Sequence, residues 1–292
     1  MKLRLIALAA ALAVAGAAQA KIANSRDNGN ASSGDLFASL VSVSNTASFT
    51  VDLGLRLDQF VSAIGPTQLG IKLVWDLNDS SFTDMSVVST GLAALIQPLN
   101  YGTVFNTFAA PAVIGASDLR FDVKAMDGLP TFLPAAGLNR YLTTSNAPSI
   151  TANNGQVFAM DNVDIYPNAA NLDTTNSTHG SSFATAGANM QDNGDAFNVY
   201  FVNGSANNWK GATSFQSPGS IADPLNFFFL TNSSSTAAQQ ASVTTFAGQW
   251  HFDAATAQLS YAAPVPEAET WAMLLAGLGI MGAVVRRRNK RS

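Results

Sequence analysis

Cysteine is absent from all 292 residues, which excludes disulfides and a thiol nucleophile. Stability must therefore come from a core large enough to do without cross-links. Glutamate is nearly missing: the only two, Glu267 and Glu269, stand close to the C-terminus. Histidine is limited to His179 and His251, short of the four Cys/His ligands of a structural zinc site. No G-x-S-x-G elbow and no H-E-x-x-H zinc motif occurs. Between residues 21 and 263 there are eight basic residues against seventeen Asp, and clustered Lys and Arg are what nucleic acid requires. Nucleic acid is therefore not an expected partner.

What is abundant is Asn, Ser, Thr, Gly and apolar residues. A body with four Lys and no Glu lacks the usual surface helix formers, so it reads as β-rich. "DLFASLVSV" and "ASFTVDLGL", separated by "SNT", predict a hairpin, and "LDQFVSAI" is long enough for one short helix. "IKLVWDL" puts Ile71, Leu73, Trp75 and Leu77 on one strand face, with Lys72 and Asp76 opposite. "DLRFDVKAMD" repeats the pattern, with Leu119, Phe121, Val123 and Ala125 inward and Asp118, Arg120, Asp122 and Lys124 outward. Strand signals return in "AFNVYFV", "NFFFLT" and "AQLSYAA", while Thr143 to Asn193 is divided between a short helix and loops. No linker and no fixed-period repeat divides the body. The expectation is an all-β, sandwich-like domain with short helical insertions; a β-helix or two smaller β-domains are the alternatives.

The two ends differ from this body. "MKLRLIALAAALAVAGAAQA" joins a basic start (Lys2, Arg4) to an apolar run and a small-x-small site at Ala18-Gln19-Ala20. Residues 1–20 therefore read as a signal peptide, cut by signal peptidase to leave Lys21 first. Residues 21–263 form the exported domain and residues 264–292 a separate tail. In the tail, Trp271 to Val285 are uncharged and apolar, about 22 Å as a helix against a hydrocarbon core of ~30 Å. Trp271 suits one membrane interface. Arg286, Arg287 and Arg288 suit the other, where they stop transfer and keep the end cytoplasmic. Pro264 and Pro266 hold "APVPEAE" extended just outside this expected transmembrane helix.

Within the body, candidate chemistry is sparse. His179 lies in a Ser/Thr/Gly-rich loop and His251 between Trp250 and Phe252. Asp161 with Asp164, and Asp192 with Asn193 and Asp195, offer oxygen ligands without the EF-hand spacing, and glycine turns need the same residues. No metal site, catalytic residue or cofactor is expected. Trp75, Trp209, Trp250, Tyr101, Tyr141, Tyr166, Tyr200 and Tyr261 are expected mainly in the core, with Trp209 the best candidate for stacking on a sugar. Asn-x-Ser/Thr sequons include those that start at Asn78, Asn176, Asn203 and Asn232.

"VPEAETWAMLLAGLGIMGAVVRRR" resembles the PEP-CTERM sorting signal of Gram-negative bacteria: a Pro-Glu-Pro motif, a transmembrane helix and an arginine cluster. Pro266 and Glu267 match the motif, and Ala268 stands where the second proline usually does. The body resembles a group of exported β-rich proteins with the same tail, through "GDLFASLVSVSNTASFTVDLGLRLDQF", "LRFDVKAMD" and "LNFFFLTNSS". The resemblance implies transient anchoring in the inner membrane, processing by exosortase and delivery to the cell surface or extracellular matrix. It points to a non-enzymatic structural or adhesive protein with exopolysaccharide as a partner. A carbohydrate-binding module and an unrecognised hydrolase are the alternatives.

Overall fold

The computed structural model describes residues 33–42, 47–96, 99, 101–109, 119–127, 135–159, 182–185, 219–265, 276–278 and 280–281. Strands β1 (Asp35–Ser42) and β2 (Ala47–Arg56) form the expected hairpin, in register from Asp35 opposite Arg56 to Ser42 opposite Ala47. Helix α1 (Leu57–Ala63) follows β2 directly. Its first-turn donors find partners: Arg56 N–H donates to Gln59 Oε1 at 2.8 Å, and Asp58 N–H to Ser33 Oγ at 2.8 Å. One apolar face of this short helix buries Leu57 and Phe60.

The remaining elements are β3 (Lys72–Asp76), β4 (Ser81–Asp84), a 3-10 turn (Leu92–Ala94), α2 (Gly102–Ala109), β5 (Leu119–Asp127) and β6 (Arg140–Ser145). They continue with α3 (Asn154–Ala159), β7 (Ser182–Thr185), β8 (Gly219–Ser220), β9 (Leu225–Thr231), β10 (Ser242–Asp253) and β11 (Gln258–Ala262). The strands make one antiparallel sheet in the order β4-β3-β11-β10-β9-β6-β5-β1-β2-β7, with β8 paired to β5. The β-rich body with short helices is therefore as expected. Its layering comes from a single sheet curled over its own core rather than from two separate sheets.

Curling is visible in contacts between strands far apart in that order. The Trp75 indole N–H on β3 donates to the Leu53 carbonyl on β2 at 3.0 Å, joining the second strand from one edge to the second from the other. A β-bulge in the β1–β2 pairing, where two residues of β1 span Asp52 to Arg56, presents this carbonyl. Phe60, carried just past β2, packs on Phe227, Phe246, Trp250 and Tyr261 with ring centroids 5.3–6.2 Å apart. Trp75 completes the cluster against Trp250 at 5.3 Å and Phe82 at 4.9 Å. Leu73, Trp75, Leu77, Leu119, Phe121, Val123 and Ala125 all face this core, as their period-2 spacing predicts.

Gly248 is required by close packing. A Cβ placed there would stand 2.3 Å from Tyr261 Cζ, so β10 can lie against the tyrosine ring only without a side chain at this position. Among the described residues no helix is long and apolar enough to cross a membrane. The signal segment 1–20 lies outside the described residues, as does 271–285 apart from 276–278 and 280–281, which are helical.

Two substitutions test the closure. Trp75→Phe keeps a ring but removes the indole donor to Leu53, and should cost about 1–3 kcal/mol. Gly248→Ala should cost a similar ~1–3 kcal/mol through overpacking against Tyr261. Urea unfolding followed by tryptophan fluorescence measures both, and values within error of wild type would show that the curl is held elsewhere.

Candidate functional site

The chain leaves its folded body at one well-defined place. Strand β11 runs inside the sheet, between β3 and β10. Pairing continues just past its end: Ala263 N–H donates to the Ile71 carbonyl at 2.9 Å, and Gly70 N–H to the Pro264 carbonyl at 2.8 Å. Ala263 is buried, whereas Pro264 and Val265 are exposed. The last strand among the described residues is thus hydrogen-bonded on both sides before residue 266.

Around this exit the third strand and its neighbour continue the ladder. Val87 N–H donates to the Gly70 carbonyl at 2.9 Å and Met85 N–H to the Lys72 carbonyl at 2.8 Å. Gly70 has φ +74°, and a Cβ there would meet Val87 Cγ2 at 2.4 Å, so the valine lies over the glycine backbone.

A second candidate is chemical. Asp122 and Lys124 on β5, expected outward and solvated, are both fully buried and form an ion pair between Lys124 Nζ and Asp122 Oδ2. The alternation assigned them to the right face, but that face is also covered. Phe37 and Val41 of β1, Tyr141 and Thr143 of β6, and Phe228 and Leu230 of β9 are buried outside the aromatic core. The run "DLFASLVS" held the signal, because it is apolar on both faces of the strand, as a strand buried on both sides requires. Arg120 is half-buried and Asp118 lies outside the described residues. Burial pushes the Asp122 carboxyl up to about 6 and the Lys124 ammonium down to about 7, each partly opposed by the other's charge.

The other sequence candidates do not converge. His251 sits half-buried on β10 opposite Ser260, and the serine hydroxyl donates to the His251 backbone carbonyl at 3.4 Å rather than to its ring. His179, Asp161, Asp164, Asp192, Asn193, Asp195, Trp209, Tyr166 and Tyr200 lie outside the described residues. Among the described residues no group of three acidic or histidine side chains is placed to hold a metal ion. Trp75, Trp250, Tyr101, Tyr141 and Tyr261 are core residues and offer no sugar-stacking surface. Asn232 is buried: its Oδ1 accepts the Asn139 N–H at 3.0 Å and its Nδ2 donates to the Ala135 carbonyl at 2.9 Å. This sequon asparagine is structural rather than an acceptor for glycan. Ala18, Ala20, Lys21, Pro266, Glu267, Ala268, Trp271, Arg286, Arg287 and Arg288 also lie outside the described residues.

Residues 264–288 match the family described as the PEP-CTERM protein-sorting motif. The match begins at Pro264, whose carbonyl accepts the Gly70 N–H, and runs through Pro266, Glu267, Trp271 and the three arginines. It marks an exosortase-targeted secreted protein with a C-terminal membrane anchor before processing. Among curated proteins and among solved structures, nothing matches this chain.

The buried pair lies apart from that motif and bears on stability. Asp122 is raised in the fold above its unfolded value of about 3.9, so the folded state holds that proton more tightly, and this contribution fades as pH rises through about 6. Lys124 is lowered from about 10.4 when unfolded, so its contribution is present at high pH and fades as pH falls through about 7. The pair therefore contributes least between pH of about 6 and 7, where both groups are charged. Lys124→Met alone should cost about 3–5 kcal/mol, and Asp122→Leu with Lys124→Met should restore most of it. Urea midpoints from pH 5 to 9 should dip near neutrality for wild type and flatten for the double variant.

Proposed function

We propose that this chain is a non-enzymatic protein of the cell surface or exopolysaccharide matrix, structural or adhesive in role. Signal peptidase removes residues 1–20, the tail holds the precursor in the inner membrane, and exosortase cuts near Pro266 and Glu267 to release the body. The observation that carries this reading is the place of the sorting motif: it starts at residue 264, two residues past the end of β11, the last strand of the body among the described residues. A cut near Pro266 and Glu267 leaves every described strand of the body in place, so the released body keeps its fold.

An acidic body, with few lysines and no cysteine, suits life outside the cell, where neither a reducing environment nor disulfide pairing then matters to its stability. Buried tyrosines and tryptophans in the described core leave any sugar contact to polar groups and to residues beyond it. The stacking platform of a carbohydrate-binding module therefore finds no support in the described aromatics, and a matrix role needs none.

Mass spectrometry of the mature protein from its host, combined with fractionation, tests the proposal. The mature chain should start at Lys21 and end before Trp271. Replacing Pro266 and Glu267 together with Ala should leave a longer form in the inner membrane. Mature protein retaining Arg286 to Ser292 would show a permanent anchor and defeat the sorting reading.

A further inference from the structure

A groove of about 400 Å³ opens where the β9–β10 connection lies against the segment leading into α3. Thr151, Ala152, Asn153, Gln156, Ala238 and Gln240 line it, and none of them is charged. The two segments pair antiparallel: Asn154 N–H donates to the Gln239 carbonyl and Ala241 N–H to the Ala152 carbonyl, both at 2.9 Å. Asn153 and Gln240 stand opposite each other in this bridge, so their side chains leave it on the same side. Buried Asn154 pins the connection. Its Nδ2 donates to Ser234 Oγ at 3.0 Å and to the Thr236 carbonyl at 2.9 Å, and its Oδ1 accepts the Ser233 N–H at 2.8 Å. The walls are thus fixed before any ligand arrives.

Two of the amides in the groove have a set orientation. Asn153 Oδ1 accepts the Gln156 N–H at 2.8 Å, and Gln156 Oε1 accepts the Asn153 N–H at 2.9 Å. With both oxygens held by backbone, each side-chain NH2 is left over, and neither has a partner among the described residues. Thr151 and Gln240, both exposed, add a hydroxyl and a third amide. The backbone donors of the first helical turn are already used: Asn154 and Gly155 bond to Gln239 and Ala237, and Gln156 to Asn153. That leaves no anion site at the helix start and no free ladder on which an extended peptide could pair. Side chains alone carry this site.

Uncharged groups that donate and accept on a rigid frame match the hydroxyls of a neutral sugar, each of which does both. The volume lies in the range of small-ligand pockets. We propose that this groove binds a short stretch of a neutral polysaccharide, with Asn153 and Gln156 donating from their NH2 groups and Thr151 and Gln240 completing the contact. The inference rests on the matrix reading above for the source of the sugar, not on where exosortase cuts. A groove without an aromatic platform holds each unit weakly, and a repeating polymer offsets this by presenting many units at once.

Two isosteric changes remove the donors and keep the helix start. Asn153→Asp with Gln156→Glu retains both oxygens that accept backbone N–H groups, while each NH2 becomes a carboxylate oxygen. Gln240→Ala, outside that reciprocal pair, should weaken binding independently. Side-chain amide signals of the isotope-labelled protein would be followed by NMR during addition of cellotetraose, mannotetraose and isomaltotetraose. Trigalacturonic acid serves as the anionic control and tetra-alanine as the peptide control. A neutral oligosaccharide should shift the NH2 signals of Asn153 and Gln156, and the double variant should bind it about tenfold more weakly at an unchanged urea midpoint. Shifts produced only by the anionic sugar or by the peptide would overturn the inference. Co-sedimentation with exopolysaccharide extracted from the host separates it from the wider reading: wild type should sediment with the polymer, and the double variant much less. Equal sedimentation of both would overturn the inference and leave the matrix role standing. Sedimentation of neither, with no oligosaccharide shift, would defeat both.

Discussion

The hydrogen bond from the Trp75 indole to the Leu53 carbonyl is the point at which the curled sheet closes. The packing of Phe60, just past β2, on β9, β10 and β11 spans the same gap from the other side of the core. Joining β2 and β3 brings α1, which follows β2, over β9, β10 and β11, and lets Phe60 enter the ring of Phe227, Phe246, Trp250 and Tyr261. A carbonyl inside a bulge is suited to this use, because the bulge takes it out of the regular β1–β2 ladder. The bulge is shaped by local chemistry: Gly54 takes φ +73°, and its N–H donates to Asp52 Oδ1 at 2.7 Å. Burial and the nearby Asp35 carboxylate push the Asp52 carboxyl well above the usual range, against the Gly54 N–H bond, which favours the charged form.

Closure also depends on the last strand. β11 lies between β3 and β10, so the β3–β4 hairpin attaches to the rest of the sheet only through β11. The sheet cannot be completed until the C-terminal residues of the body have paired, and such long-range pairing is slow to form. The sorting motif begins at Pro264, two residues past the end of β11, so the strand that completes the described sheet precedes it in the chain. The sheet and the sorting motif share Pro264, whose carbonyl accepts the Gly70 N–H.

Local features were legible in the sequence and non-local ones were not. The β1–β2 hairpin, the single turn-rich helix after it, and the alternation of Ile71, Leu73, Trp75 and Leu77 depend on neighbours a few residues apart, and all are present. The strand order is different, since nothing in "AQLSYAA" says that it lies between "KLVWD" and β10. Period-2 spacing gave the correct face for Asp122 and Lys124, yet it cannot say whether that face is wet. The sorting tail was legible because its chemistry is carried by adjacent residues: prolines, an apolar run and an arginine cluster.

A buried ion pair in a body without disulfides calls for a physical account, since replacing such a pair by apolar residues is often neutral or stabilising. Its position suggests one. Asp122 stands opposite Ser39, and Lys124 opposite Phe37 and Thr143, in rows that cross β1, β5 and β6 on the second buried face. Ser39 and Thr50 place their hydroxyls 3.4 Å apart in the same row as Asp122, so this face tolerates polar groups while the aromatic face does not. A one-residue slip of β5 would turn both charges into the side occupied by Phe121 and Val123. There the pair would meet Phe and Leu side chains in place of the Ser39 and Thr50 row, with no polar group beside it. β5 is apolar on the one face and buried on the other, so hydrophobicity alone discriminates poorly between its two registers. The charges supply that discrimination, and they do so in the strand that joins the β1–β2 hairpin to β6 and the rest of the sheet.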